Sequence, residues 1–253
     1  MQNIHNIVII GAGNVGSHLA RALKDAGYRI AQVAGRRETN VSRLASEVNA
    51  PSHTLDFAKV LKGQDLYIIA LPDQAMTEVL PLLGLSNELV VHTSGSASME
   101  VLRPFSENTG VIYPLQTFTG KLMLDLREVP FLIEANTRGA EKRLLALAGK
   151  LSNRVSTVDS VQRQILHIAA VFACNFSNHM YYIAEHVLEE HGLDFSLLKP
   201  LILETARKAV EIGPIRSQTG PAVRNDMKII REHLEMLKDH EAARDLYMMI
   251  TRD

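Results

Sequence analysis

Three glycines, Gly11, Gly13 and Gly16, stand in the spacing G-x-G-x-x-G within VIIGAGNVGSHLARAL. They follow the apolar run at residues 7–10 and open a stretch of helical character. Glycines so placed permit a tight turn, close approach of backbone to a pyrophosphate, and close packing of helix on strand. The amides of the turn and of the helix start, carried also by Ala12, Asn14 and Val15, then face the phosphates. The chemistry implied is dinucleotide binding by residues 11–16. A glycine-tolerant turn in an unrelated α/β sheet is the alternative.

Sites of this type often carry an acidic residue about 20 positions past the last glycine, for the adenine ribose. Here Arg36 holds that place and Arg37 follows it. A carboxylate there would repel a ribose 2′-phosphate, whereas an arginine attracts it and its fork can hold two phosphate oxygens. Arg37 would stack on the adenine or add a second phosphate contact. The pair favours NADP(H) over NAD(H). A solvated arginine loop is the alternative. Glu38 lies two residues late for a ribose hydroxyl.

Hydride transfer also needs a nicotinamide seat and a proton donor. The nicotinamide end is expected near Leu71, Pro72 and the segment HTSGSAS, which begins at His92. Ser94 and Ser96 would supply hydroxyls there, or simply cap a helix. His92 is a candidate donor, or a hydrogen-bonded core residue closing a strand. Within ILHIAAVFACNFSNHM, His167 is a candidate general acid and Asn175 a candidate ligand of substrate or nicotinamide. Eight residues of α-helix set these two about 80° apart around the axis and ~12 Å along it. Helix–helix or subunit contacts are the alternative for both. Tyr113 is expected to pack, with Gln116 and Thr117 at a cleft rim. Arg224 would clamp a carboxylate or pair with Asp226 or Glu232. The ten histidines are dispersed without metal-ligand spacing, so no metal site is expected. Cys174, the only cysteine, lies in an apolar run and reads as a buried thiol.

The elements that would position these residues alternate through the first half. Strands are expected at residues 7–10, 29–34, 65–71, 88–92, 111–116 and 130–134, with short ones at SHTL and RVSTV. Helices are expected at residues 14–26, 40–48, 74–83, 99–105 and 139–151. This alternation implies a Rossmann-type, doubly wound, mainly parallel sheet. After residue 159 no strand pattern remains. A helix of ~45 Å is expected over residues 162–191, followed by helices at 195–212, 226–237 and 241–250. The reading is therefore a nucleotide-binding domain at 1–157 and an all-α domain at 158–253, with the ligand in the crevice between them. The helical half carries more apolar residues than one small domain can hide, which predicts a homodimer through it.

At 253 residues, 46% hydrophobic and with a formal charge of −1, the chain shows no basic surplus for nucleic acid or anionic membrane. It shows no signal peptide and no apolar run near the ~20 residues that span a bilayer, so a cytoplasmic location is expected.

The segments IVIIGAGNVGSHLARAL, VAGRR, DLYIIALPD and VVHTSGS, together with the long helix, resemble the 6-phosphogluconate dehydrogenase-like superfamily. That group includes pyrroline-5-carboxylate reductase and the deazaflavin-dependent NADP oxidoreductases. Within it, HTSGS, YPLQTF, HIAAVFACNFSNH and TGPAVRND are similar to a family of NADP oxidoreductases with a helical domain of unknown function. The resemblance implies an NADP-dependent oxidoreductase acting on a small carbonyl, imine or alcohol. Hydroxyisobutyrate dehydrogenase-like members carry a catalytic lysine four residues before an asparagine. Matched through Asn175, that position is Val171, so the lysine mechanism is not implied here. A deazaflavin or ferric reductase, and an NADP(H)-responsive regulator or scaffold without turnover, stay open as alternatives.

Overall fold

Ile7, Val8, Ile9 and Ile10 are all fully buried, as a strand covered on both faces requires. They form β1 (Asn6–Ile10) at the centre of the sheet. In the computed structural model, which describes residues 3–120 and 124–252, β1 leads through the glycine turn into α1 (Asn14–Asp25). There follow β2 (Arg29–Ala34), α2 (Glu38–Glu47), the two-residue β3 (His53–Thr54), β4 (Leu66–Ile69), α3 (Asp73–Leu83) and β5 (Leu89–His92). Next come β6 (Asn108–Pro114), β7 (Phe131–Ala135), α4 (Arg138–Leu151) and β8 (Val155–Thr157). The eight strands lie in the order β3-β2-β1-β4-β5-β6-β7-β8. All neighbours are parallel except β6 and β7, which run antiparallel. The order 3-2-1-4-5-6 is that of the Rossmann fold, with its switch point between β1 and β4. Alternate residues feed two cores: Ile7 and Ile9 pack under α1, α2 and α4, and Val8 and Ile10 under α3.

The helical region opens with α5 (Ser160–Ala170), capped by Asp159 and Gln162 in a reciprocal capping box. It then passes through a π-helical segment, Val171–Phe176, into α6 (Ser177–Glu190). The expected long helix is thus interrupted. The wider π turns shift the phase of later residues, so the 80° offset computed for Asn175 does not hold. Cys174 is exposed in this segment rather than buried. After it come α7 (Lys199–Ile212), α8 (Pro214–Ser217), α9 (Met227–Met236) and α10 (Glu241–Arg252). Pro200 sits in the first turn of α7, where its missing amide breaks no helix bond. The expected helix over residues 99–105 is only a 3₁₀ turn, Met99–Leu102.

By contact the chain divides into two compact units, Met1–Cys174 and Asn175–Asp253. The first therefore takes in α5, which the sequence pattern grouped with the helical half. In the second unit, Ile230 is the one buried hydrophobic side chain among the described residues. An apolar groove there is lined by Met180, Ile183, Val187, Leu246 and Ile250. No helix among the described residues is long and apolar enough to cross a membrane.

The packing of α1 on the glycine turn makes a test. A Cβ on Gly16 would collide with the backbone carbonyl of Gly11, which cannot swing aside as a side chain would. Gly16→Ala is expected to lower unfolding stability by roughly 1–3 kcal/mol, read from the urea midpoint. An unchanged midpoint would contradict this close approach.

Candidate active site

At the glycine turn, Gly11 has φ 114°, a left-handed value that glycine adopts freely. Its amide donates to Ala34 O at 2.8 Å, tying the turn to β2. A Cβ on Gly11 would strike Ala70 O, whereas one on Gly13 would meet nothing within 4 Å. Two glycines are thus demanded by packing and the third leaves open space. The first-turn amides of α1 have no intrahelical carbonyl to bind. That combination fits a dinucleotide pyrophosphate. The Asn14 side chain donates to Phe118 O at 3.0 Å, and His18 Nε2 lies 3.1 Å from Thr119 O. The loop after β6 is thereby held against the start of α1.

Past β2, a Cβ on Gly35 would press Val41 Cγ2 at 2.8 Å. Arg36 and Arg37 are both exposed. Arg36 reaches Glu78 of α3, with Nη2 to Oε2 at 2.6 Å. Glu38 lies 3.3 Å from His53 Nε2. Arg37, at the N-cap of α2, accepts the Asn40 and Val41 amides through its carbonyl, while its side chain has no hydrogen-bond or ion-pair partner among the described residues.

A second cluster lies at the ends of β5 and β6. His92 is fully buried, and its Nδ1 accepts the Ser94 amide at 3.1 Å. In the neutral ring the proton is then on Nε2, which has no hydrogen-bond partner among the described residues. Burial, and then the charge of Arg163, push the His92 pKa down to about 4. Ser94 Oγ accepts the amides of Ser96 at 3.1 Å and Ala97 at 2.9 Å. Ser96 Oγ donates to Asp73 at 2.6 Å. His92 and Ser94 therefore shape the turn after β5 through their side chains, while Ser98 caps the 3₁₀ turn that follows.

Against this turn sits His167. A Cβ on Gly95 would come within 2.6 Å of His167 Nδ1 and 2.8 Å of Tyr113 Cζ. Only a glycine lets imidazole and phenol approach the backbone so closely. Tyr113 Oη and His167 Nδ1 are 3.1 Å apart, with ring planes at 75°. Burial raises the Tyr113 pKa, so its hydroxyl keeps its proton. His167 itself is half-buried.

Arg163, one turn before His167 on α5, is completely buried. Its Nε donates to Ser94 O at 3.1 Å, and its Nη atoms to Ala97 O and Glu134. Ser160 Oγ adds a donation to Glu134 at 2.9 Å, and Gln164 Nε2 one to Ser96 O at 2.7 Å. These bonds fasten α5 to the turn after β5.

Residues 11–16, Leu71, Pro72, Ser94 and His167 thus belong to the first unit, the glycine turn following β1 and the others lying at the ends of β4 and β5 or on α5. Asn175 is exposed in the π-helical segment and begins the second unit. Sequence reasoning missed Arg163, Glu134 and Glu78, and took Tyr113 for packing alone. The one sequence signal for Arg163 was a charge just ahead of an apolar helix face.

Two family models match the chain. Residues 6–95 match an NADP oxidoreductase, coenzyme F420-dependent, and residues 129–253 match a domain of unknown function (DUF2520). A "putative NADP oxidoreductase" from Bacteroides fragilis shares 44% identity over 98% of this chain and 97% of its own, with a TM-score of 0.93. An imine reductase from Streptomyces aurantiacus shares the fold at 16% identity, covering 97% of this chain and 94% of its own, TM-score 0.69. A reductive aminase from Aspergillus terreus, solved with NADPH and ethyl-5-oxohexanoate, does so at 12% identity, covering 99% and 92%, TM-score 0.70.

The buried His92 gives a pH test. Its folded pKa of about 4 lies below the ordinary 6.5. Between these values the unfolded chain takes up the proton and the folded chain does not, so stability falls as pH drops through that window. His92→Asn keeps an acceptor for the Ser94 amide but cannot titrate. Its Tm is expected to fall less steeply from pH 6.5 to 4 than that of the wild type. Equal slopes would contradict a buried neutral imidazole.

Proposed function

The chain belongs to the NADP oxidoreductase family of its Bacteroides fragilis relative, and from that premise we propose hydride transfer between NADP(H) and a small carbonyl, imine or alcohol held beside His167. The observation that carries this is the seating of His167 and Tyr113 on Gly95, at the strand ends of the unit that bears the glycine turn. NADPH bound there would supply the hydride. The amides of residues 11–16 would hold the pyrophosphate, and Arg36 and Arg37 the 2′-phosphate. Leu71 and Pro72 would border the nicotinamide. As an imidazolium, His167 would donate its Nδ1 proton in a hydrogen bond to Tyr113 Oη and give its Nε2 proton to the oxygen or nitrogen that gains charge as the hydride arrives, ending as the neutral ring. The NADPH of the reductive aminase complex supports the cofactor. The F420-dependent family match favours one second reading, a deazaflavin as the hydride partner.

We further propose that the chain pairs as a homodimer through its helical domain. Val210 and Ile215 are 87% and 91% exposed, alongside Leu201 and Leu203, which is more apolar surface than a lone helical unit usually leaves in water. Light scattering is expected to give twice the chain mass at micromolar concentration, and a monomer there would contradict the pairing.

For the reaction, the purified protein is incubated with NADPH and a panel of 2-oxo acids, cyclic imines, aldehydes and a deazaflavin. Oxidation of NADPH with at least one acceptor is expected. His167→Ala should lower kcat by about 10²–10⁴-fold while leaving the NADPH Kd within about twofold. Tight NADPH binding with no turnover across the panel would favour the regulator instead. Unchanged kinetics in His167→Ala would remove the histidine from the chemistry.

A further inference from the structure

Arg36 is already engaged. Its guanidinium meets the Glu78 carboxylate at 2.6 Å, bridging the loop after β2 to α3. These two elements follow β2 and β4, the strands on either side of β1. The bridge therefore crosses the C-terminal end of β1, above the glycine turn, where the fold places its nucleotide. Both side chains are 55% exposed, so water and a ligand can reach the pair. The guanidinium of Arg37, next in the chain, stands without a partner among the described residues, and the nearby carboxylate of Glu38 faces His53.

We propose that Glu78 sets the cofactor preference of this site as the internal counter-anion of Arg36. The inference rests on the NADP(H) reading above. A 2′-phosphate is a second anion competing for the same fork. To bind Arg36 it must separate the guanidinium from Glu78, and it then lies beside a carboxylate of like charge. Arg37 has no such competitor and receives the phosphate directly. NADH carries a neutral hydroxyl at this place, so it neither displaces Glu78 nor is repelled by it. Glu78 thus weakens NADP(H) selectively and narrows the gap that the two arginines create. The carboxylate that NAD sites carry at the end of the second strand is here supplied from α3, tied to an arginine.

The test measures Kd for NADPH and NADH by cofactor fluorescence, in the wild type and in Glu78→Gln, Arg36→Ala and Arg37→Ala. Glu78 is exposed, so its substitution leaves the core intact, and the Tm checks this. Glu78→Gln is expected to tighten NADPH about three- to tenfold, the range of an exposed ion pair plus one like-charge contact. NADH should change less than about twofold. In an Arg36→Ala background the gain from Glu78→Gln should shrink. If both arginine variants weaken NADPH while Glu78→Gln leaves it unchanged or weaker, the counter-anion role is wrong and the NADP(H) reading stands. If neither arginine variant weakens NADPH, the NADP(H) reading itself fails and the inference with it.

Discussion

The site depends on one guanidinium removed from water. Arg163 has no exposed surface, and its charge is met by Glu134 on β7 and by the carbonyls of Ser94 and Ala97. Removing one partner of such a buried pair costs roughly 3–5 kcal/mol, because the other charge is left uncompensated. That penalty makes the arrangement nearly all-or-none. With the pair formed, α5 is fixed to the turn after β5, and His167, one turn further on, lies against Gly95. The same charge helps keep His92 neutral and holds the Tyr113 hydroxyl in a field that opposes the effect of burial. The turn after β5 is therefore shaped from both sides, by imidazole and serine from within and by arginine from α5.

A different rule governs the nucleotide end. There the charges are exposed, and the backbone does the fixing. Gly11 and Gly16 are required by contacts with neighbouring carbonyls, while Gly13 opens onto free space. The arginines that follow β2 sit on a loop where water screens them. In the proposed function, side-chain charge at that end would tune which nucleotide binds, whereas the glycine turn would decide that one can bind at all. This division suits a site that needs a rigid cradle for pyrophosphate and an adjustable contact for the ribose.

The parts legible in sequence are those whose cause is local. A buried strand, three spaced glycines and a helix start lie within ten residues, and the turn they form is the one expected. The doubly wound, mainly parallel sheet followed from the alternation of apolar runs and helices. What was not legible came from pairs distant in the chain. Arg163 stands in the first turn of a helix, where a charge ordinarily meets solvent, and its partner Glu134 lies 29 residues earlier on an antiparallel strand. Tyr113 reads as a packing aromatic until His167, 54 residues later, is seen beside its hydroxyl. Glu78 is one of two exposed acids on α3 and gains meaning only from Arg36, 42 residues before it. The burial of Cys174 and the helical phase of Asn175 were misread for a local reason: nothing in the pattern announced π turns within a helix of otherwise regular apolar spacing.

The central claim is that the glycine turn and the Tyr113–His167 pair serve one cofactor. A crystal structure of the protein with NADPH tests this most directly. The account predicts the pyrophosphate on the amides of residues 11–16, and the nicotinamide C4 facing a space that His167 Nε2 can reach, directly or through one water, within about 3 Å of a reacting atom. A nicotinamide ring directed away from Gly95, with His167 out of reach of any acceptor placed on C4, would contradict it.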